Sequence, residues 1–319
     1  MNLETLKYLC AHTGTLLPAF QKLHIYDDEN GDRRAQVNNG RYTVDVPANM
    51  PLCTVDAAKL ASAWTVCDGD PEFRVTDASL MVLGRARRSR IGLSEAKEYP
   101  RTTPTPKTSH TASGVSALIE QLKPFVATDS SKIWANGICL HNGFAYATNN
   151  VILCRVPFPT VLPATVIVPS ACFDAVTTKG EPIDMGVTDD SVTFYFDDDC
   201  WVKTQLIAAS WPTHVVDGYV NGLAETDWAT PHNALAGVLD AAVKLADMRI
   251  PVVEFREGGL KLLDETFEAD DLELPATGKL NARMAALVFE HATAIQWHIK
   301  PDTHAFKAGE VIGLFGGQR

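Results

Sequence analysis

Two stretches of this chain read almost alike. The segment "AQVNNGRYTVDVP" (35–47) and the segment "ATNNVILCRVP" (147–157) each set an Asn-Asn turn before an apolar run that closes on Val-Pro. Asn38-Asn39 recurs as Asn149-Asn150, a step of 111, and Val46-Pro47 recurs as Val156-Pro157, a step of 110. Neighbouring features keep the spacing. Asn30-Gly31 matches Asn142-Gly143, each between strand-like runs as a tight hairpin turn requires. "VDAAKLASAW" from Val55 matches "VPSACFDAVT" from Val168, both with apolar residues at helical spacing. "FRVTDASLMV" matches "MGVTDDSVTF", and Tyr99-Pro100 matches Trp211-Pro212. A fainter third copy keeps the order. It has a helix around "HNALAGVLDAAVKLADM" from His232, strands "VVEF" and "LKLLD" about a Gly258-Gly259 turn, and "LELP" ending at Pro275. A helix "NARMAALVFEHA" from Asn281 and strands "IQWHIK" and "GEVIGLF" complete it.

A period of about 110 residues is one small domain, too long for a solenoid unit. Each copy reads helix, strands, helix, strands, and short hairpin turns make most of the strands antiparallel. The expectation is an α+β chain of three tandem similar domains, 1–105, 106–224 and 225–319. "RTTPTPKTSH" (101–110) reads as an extended linker, and "VDGYVNGLAETDW" (216–228) as a second, turn-rich one.

Composition narrows the function. No stretch approaches the roughly 18 apolar residues of a spanning helix, and Glu4 and Lys7 stand where a signal peptide has its apolar run, so a soluble, cytoplasmic protein with no membrane partner is expected. The seven cysteines, Cys10, Cys53, Cys67, Cys139, Cys154, Cys172 and Cys200, are odd in number and include no CxxC pair, which reads as reduced core thiols. Thirty-nine acidic against 28 basic residues give a net charge of −11, which argues against gripping nucleic acid with the whole surface. Asp197-Asp198-Asp199 reads as a solvated hairpin tip, and no metal is expected there. His291, His298 and His304 lack helical ligand spacing and read as surface or half-buried. "ATGKL" (276–280) lacks the upstream glycine and following Ser or Thr of a phosphate-binding loop, and no nucleophile motif is present. Neither an enzyme nor a cofactor is expected.

Five segments in order, "TLLPAFQKLHI" (15–25), "RSRIGLSEAKEYP" (88–100), "NGFAYATNN" (142–150), "VIVPSACFDAV" (166–176) and "TQLIAASWPTH" (204–214), resemble the bacterial DNA sliding clamp, the β subunit of DNA polymerase III. The resemblance implies the DNA clamp fold, with inner helices, outer antiparallel sheets, and two chains closed as a homodimeric ring. It implies a DNA replication processivity factor that encircles double-stranded DNA and tethers the DNA polymerase, with a separate clamp-loader ATPase. A ring of near-sixfold symmetry explains why one chain repeats a wedge three times.

Sliding needs attraction to phosphate without a tight hold. The candidate helices, near 3–12, 55–66, 115–127, 169–179, 232–249 and 281–291, balance their Lys and Arg with acid. Lys7, Lys59, Lys123, Lys179, Lys244, Arg249 and Arg283 are the candidate phosphate contacts. The densest basic cluster is "RARRSR"; strand alternation puts Arg88 and Arg90 on one face, as a DNA contact, an interface or a solvated strand. By resemblance, a cleft for short apolar partner peptides is formed by Thr148, Val151, Ile152 and Leu153, by Trp211 to Tyr219, and by Val311, Leu314 and Phe315. Asn150-Val151-Ile152 stands where the family has Gly-His-Arg, and the "GLFGGQR" tail also departs from it, so a different peptide is expected. The alternative is a DNA-binding or regulatory module with the same triplicated fold that never closes into a ring.

Overall fold

A computed structural model describes residues 1–67, 69–107, 110–225, 227–247, 249–270, 272, 277–300 and 302–316. The first repeat runs α1 (Leu3–Ala11), β1 (Lys22–Asp27), β2 (Arg33–Asn38), β3 (Tyr42–Pro47), β4 (Cys53–Asp56), α2 (Ala57–Thr65), β5 (Glu72–Val75), β6 (Ser79–Leu83) and β7 (Arg88–Gly92). The second opens on β8 (His110–Thr111) and continues α3 (Val115–Leu122), β9 (Gly137–His141), β10 (Phe144–Thr148), β11 (Ile152–Pro157) and β12 (Val166–Pro169). It ends with α4 (Phe173–Lys179), β13 (Asp184–Val187), β14 (Ser191–Tyr195) and β15 (Trp201–Gln205). The third opens on α5 (Thr213–Val220) and continues α6 (Leu235–Leu245), β16 (Val252–Arg256), β17 (Gly259–Leu262), β18 (Glu268–Asp270) and β19 (Gly278–Asn281). It closes with α7 (Ala282–His291), β20 (Ala294–Lys300), β21 (Thr303–Ala308) and β22 (Val311–Gly316). Helix, four strands, helix, three strands thus recurs three times in an α+β chain.

Local chemistry sets the boundaries. Asn2, Asp56 and Asn281 cap α1, α2 and α7, each side-chain oxygen accepting from a backbone N–H of the first turn. The expected helix 115–127 stops at Leu122 and passes into a 3-10 turn over Lys123–Phe125, because Pro124 has no N–H to continue the ladder. The expected helix 232–249 ends at Leu245, where Ala246 turns extended, so Arg249 lies outside it. The opposite error concerns 216–228, whose first residues belong to α5. Gly218 and the β-branched Val215, Val216 and Val220 lower intrinsic helicity and hide that helix in the sequence. "LELP", apart from Leu272, lies outside the described residues.

The Asn-Asn repeat has a direct structural meaning. Asn39 Oδ1 accepts from the N–H groups of Arg41 (2.9 Å) and Tyr42 (3.0 Å), and Asn149 Oδ1 accepts from those of Val151 (3.1 Å) and Ile152 (2.8 Å). The next residue is left-handed in both turns, Gly40 at φ 85° and Asn150 at φ 74°. A short amide side chain that substitutes for a backbone turn, followed by a residue that tolerates positive φ, delivers the same hairpin twice.

The strands form sheets of eight (β4-β1-β2-β3-β15-β14-β13-β8), seven (β12-β9-β10-β11-β22-β21-β20), four (β18-β17-β16-β19) and three (β5-β6-β7). Their ladders are antiparallel. Two compact units result, Met1–Ala117 with Ala171–Leu206, and Leu118–Ser170 with Ile207–Arg319. The middle repeat is divided between them because its β13–β15 join the first repeat's sheet while its β9–β12 join the third's.

In the first unit, Ile25, Ala35, Val37, Val44 and Val46 fill one face of the eight-stranded sheet, and Leu6, Leu9 and Leu60 bury the apolar sides of α1 and α2. The other face is polar and carries the 101–107 segment as a strap. Gln36 and Thr102 exchange two hydrogen bonds of 2.9 Å, Asn38 Nδ2 donates to Pro100 O (3.0 Å), and Lys203 Nζ donates to Thr103 O (3.0 Å).

Candidate functional site

Three of the expected phosphate contacts are ion-paired. Lys7 on α1 pairs with Glu4 (2.8 Å), Lys244 on α6 with Asp240 (2.6 Å), and Lys179 at the end of α4 with Asp198, its ammonium 6.0 Å from the Tyr8 ring. These charges are partly neutralised where they stand. Lys59 on α2, Lys123 in the 3-10 turn after α3, Arg249 beyond α6 and Arg283 in the first turn of α7 are exposed. Exposed pairs such as Lys7–Glu4 add at most about 1 kcal/mol, so a passing phosphate can compete for them. Asp197, Asp198 and Asp199 form the exposed tip between β14 and β15, and the Asp199 carbonyl accepts from Arg34 Nη2 (2.6 Å).

Arg88 and Arg90 lie on one face of β7 and are exposed, whereas Ile91 on the other face is buried. Neither has an ion-pair partner among the described residues. Arg87, just before the strand, donates to Val66 O (3.0 Å).

The residues expected to form a peptide cleft all lie in the second unit, but those on its seven-stranded sheet divide between two faces. Directly opposed residues share a face. Thr148 faces Leu153, and Leu153 faces Leu314. Ile152 faces Phe315, which faces His304, on the reverse side. Phe315 packs there against Phe289, Trp297 and Phe306, and Val311 is 1% exposed, so Ile152, Val311 and Phe315 are core. On the first side, Leu153 packs against a cluster that includes Tyr146, Trp211, Val216 and Val220. Trp211 and α5 therefore cover the Leu153 side. Val151 sits exposed in the adjoining turn, and Tyr219 lies 4.1 Å under the Lys300 ammonium.

Sequence reasoning missed the polar clasp that holds α5 in place. Asp217 accepts from Tyr146 Oη (3.0 Å) and Arg155 Nη1 (2.8 Å); Arg155 also donates to Asn221 (3.1 Å) and lies 4.5 Å over the Phe144 ring. The signal was there in the shared parity of Tyr146 and Arg155, which face each other across β10 and β11. It could not be used while α5 went unrecognised. The buried Trp211 Nε1 has no acceptor among the described residues.

His304 is buried at 3% exposure, contrary to the expected surface or half-buried position, because its parity aims it at Phe315 and Trp297. Its Nδ1 accepts from the His298 N–H (3.1 Å), which leaves the proton of the neutral ring on Nε2. Burial, then the neighbouring His298, pushes its pKa down to about 4. The unfolded chain takes up a proton near pH 6.5, so stability from this group is full above that pH and is lost as pH falls toward 4. The loss reaches at most about 3 kcal/mol. Urea midpoints of the wild type should fall between pH 7 and pH 4.5 more steeply than those of His304→Phe; equal slopes would refute this assignment.

All seven cysteines are free, and burial pushes the thiols of Cys139 and Cys172 up to about 12 and that of Cys10 up to about 11, which keeps them protonated near neutrality. Among the described residues no group of three or more His, Cys, Asp or Glu is placed to hold a metal ion, and no helix is long and apolar enough to cross a membrane.

Neither a protein-family model nor a curated protein matches the sequence. Solved structures do match, over nearly the whole chain. The DNA polymerase III subunit beta of Pseudomonas aeruginosa aligns with a TM-score of 0.78 at 14% identity, covering 99% of this chain and 97% of that one. A sliding clamp from Bartonella birtlesii, bound to griselimycin, aligns at 0.79 with 14% identity and coverage of 99% and 96%. The Helicobacter pylori beta clamp bound to a DNA ligase peptide aligns at 0.78 with 11% identity and coverage of 99% and 97%. The chain has the sliding-clamp fold.

Proposed function

We propose that the chain is a DNA sliding clamp. Two copies close head to tail around duplex DNA and tether the replicative polymerase and other partners to it, as a processivity factor without catalytic chemistry of its own. The three repeats, 1–105, 106–224 and 225–319, are its domains, and a clamp-loader ATPase supplies the energy for loading.

The observation that carries this reading is the pattern of matched and unmatched strand edges. Each repeat ends its four-strand half on its third strand, β3, β11 or β18, and its three-strand half on its last strand, β7, β15 or β22. Within the chain β15 pairs with β3 and β22 with β11. β18 and β7 are left as sheet edges, with no partner strand among the described residues. One unmatched edge of each kind is what a head-to-tail dimer satisfies, and two copies leave none open.

In the ring, α1 to α4, α6 and α7 line the hole, and Lys7, Lys59, Lys123, Lys244 and Arg283 meet phosphate there. The modest, partly neutralised charge suits sliding better than static binding. The half-buried Leu153 beside Trp211, with the exposed Val151 at its rim, takes a short apolar peptide from polymerase. Few buried side chains can supply most of such binding energy. The peptide-bound Helicobacter pylori clamp supports a site of this class.

The test is topological. After incubation with a clamp-loader ATPase and ATP, the protein should stay on closed circular plasmid through a salt wash and leave linearised plasmid by its ends, and blocked ends should restore retention. Equal retention on circle and open linear DNA would refute encirclement and favour a non-ring DNA-binding module.

A further inference from the structure

The two internal junctions repeat one arrangement of positions on the side of the sheet that carries the strap or α5. At the first junction Asn38 faces Thr43, Thr43 faces Lys203, and Lys203 faces Thr193. At the second Thr148 faces Leu153, Leu153 faces Leu314, and Leu314 faces Ala305. The turns built on Asn39 and Asn149 fix the correspondence at the strand ends, so Arg41 of the first turn stands for Val151 of the second. The covers correspond too. The strap follows Tyr99-Pro100 as α5 follows Trp211-Pro212, and Thr102 binds Gln36 on the side where α5 packs beside Leu153 in the other sheet.

The chemistry of the two faces is opposite. Val151, Leu153 and Leu314 are apolar, whereas Arg41, Thr43 and Lys203 in their places are polar or cationic. Beside the strap an open cleft of about 260 Å³ remains, with Asn38, Arg41, Thr43, Thr102, Ser191 and Lys203 in its lining. Thr43 and Ser191 are buried, so hydroxyl-bearing side chains make its floor. Arg41 is exposed, and its guanidinium has no hydrogen bond or ion pair among the described residues. The half-buried Lys203 uses one ammonium N–H on Thr103 O (3.0 Å) and keeps two. Asp190 is the one carboxylate of the lining, and its Oδ1 already accepts from the Thr188 hydroxyl (2.8 Å).

We propose that this cleft receives an acidic side chain of an extended partner peptide, its carboxylate held by Arg41 and Lys203. The proposal rests on the clamp reading for the premise that the equivalent face at Leu153 takes a peptide, and it adds a second docking site of opposite character. Charge selects the occupant. Two cations against Asp190 leave a single positive charge, which one carboxylate balances and a phosphate dianion exceeds. On a chain of net charge −11, a locally positive cleft is where an acidic segment can approach. The guanidinium offers paired N–H groups that match the two carboxylate oxygens, and the ammonium adds a point charge. An apolar anchor, suited to the Leu153 face, would here strip water from Lys203 and the hydroxyls without replacing their hydrogen bonds.

The test is an NMR titration of the full chain, isotope-labelled and read at its backbone amides, with three probes: acetyl-Gly-Glu-Gly-amide, its Gln counterpart and inorganic phosphate. The Glu peptide should shift the amides of Arg41, Thr43, Thr102 and Lys203 saturably, and the Gln peptide should bind about tenfold more weakly. Arg41→Gln and Lys203→Met should each weaken the Glu peptide about fivefold. Because the Arg41 side chain bonds nothing in the free protein, its variant separates lost charge from lost folding. No saturable shift at these amides, a shift that survives Arg41→Gln unchanged, or phosphate binding more tightly than the Glu peptide would each overturn the proposal. An apolar probe, acetyl-Leu-Phe-amide, should instead shift Val151 and Leu153. If it does so while the Glu peptide fails, the second site falls and the clamp reading stands; if neither peptide binds, both peptide sites fall.

Discussion

Replacing Asp45 with alanine should lower the stability of the chain by about 3–5 kcal/mol, read as a fall in the urea midpoint at unchanged slope. Asp45 is fully buried, and three donors converge on its carboxylate: Arg34 Nε (2.7 Å), Tyr26 Oη (2.7 Å) and Gln36 Nε2 (3.1 Å). Arg34 is itself 8% exposed, and its second contact is the Asp199 carbonyl. Removing the carboxylate leaves a guanidinium out of water with no counter-charge, which costs far more than the pair contributes against an apolar alternative. The triple variant Tyr26→Phe, Arg34→Met, Asp45→Leu should therefore recover most of the loss. If Asp45→Ala proved as mild as an exposed ion-pair deletion, the network would be solvated and the buried-charge explanation wrong.

Asp45 also shows what the sequence could and could not disclose. The repeat, the α+β alternation and the hairpin turns are local patterns, carried by Asn39 and Asn149 or by the glycines after Asn30 and Asn142, and they were legible. The ion-pair partners of Asp45, Arg155 and Glu268 were not. Each is charged, but their partners lie at different places, Arg34 on the next strand, Asp217 on α5 and Arg256 two strands away. No periodicity in one strand announces a partner supplied by another element. The candidate cleft divides for a related reason. Adjacent residues such as Ile152 and Leu153 belong to one wall when read by chain order, yet a strand sends neighbours to opposite faces. Covering one of those faces required α5, a helix whose own residues favour other conformations. The Arg88 cluster was visible as charge alone.

Those junctions make a second large effect predictable at Gly313, which faces Cys154 across the seam between β22 and β11. A Cβ there would lie 2.2 Å from Phe306 Cε1 and 2.3 Å from its Cζ. Phe306 is fully buried against Phe125 and Phe315, with ring centroids 5.5 and 6.0 Å away, so its ring has nowhere to swing. Gly313→Val should cost about 3 kcal/mol or more, at the upper end of what overpacked cores show. The backbone is not what forbids a side chain. Val202 holds the equivalent place at the first junction, opposite Phe194, in the same ladder register. The obstacle is the Phe306 ring lying over a glycine, and shortening that side chain should remove it. Gly313→Ala and Phe306→Leu, each destabilising alone, should then be less costly together than the sum of the two, with a coupling of about 1–2 kcal/mol in urea denaturation. Strict additivity would mean that the ring and the missing Cβ do not compete for the same space, and steric exclusion by Phe306 would no longer account for a glycine at the centre of an internal seam.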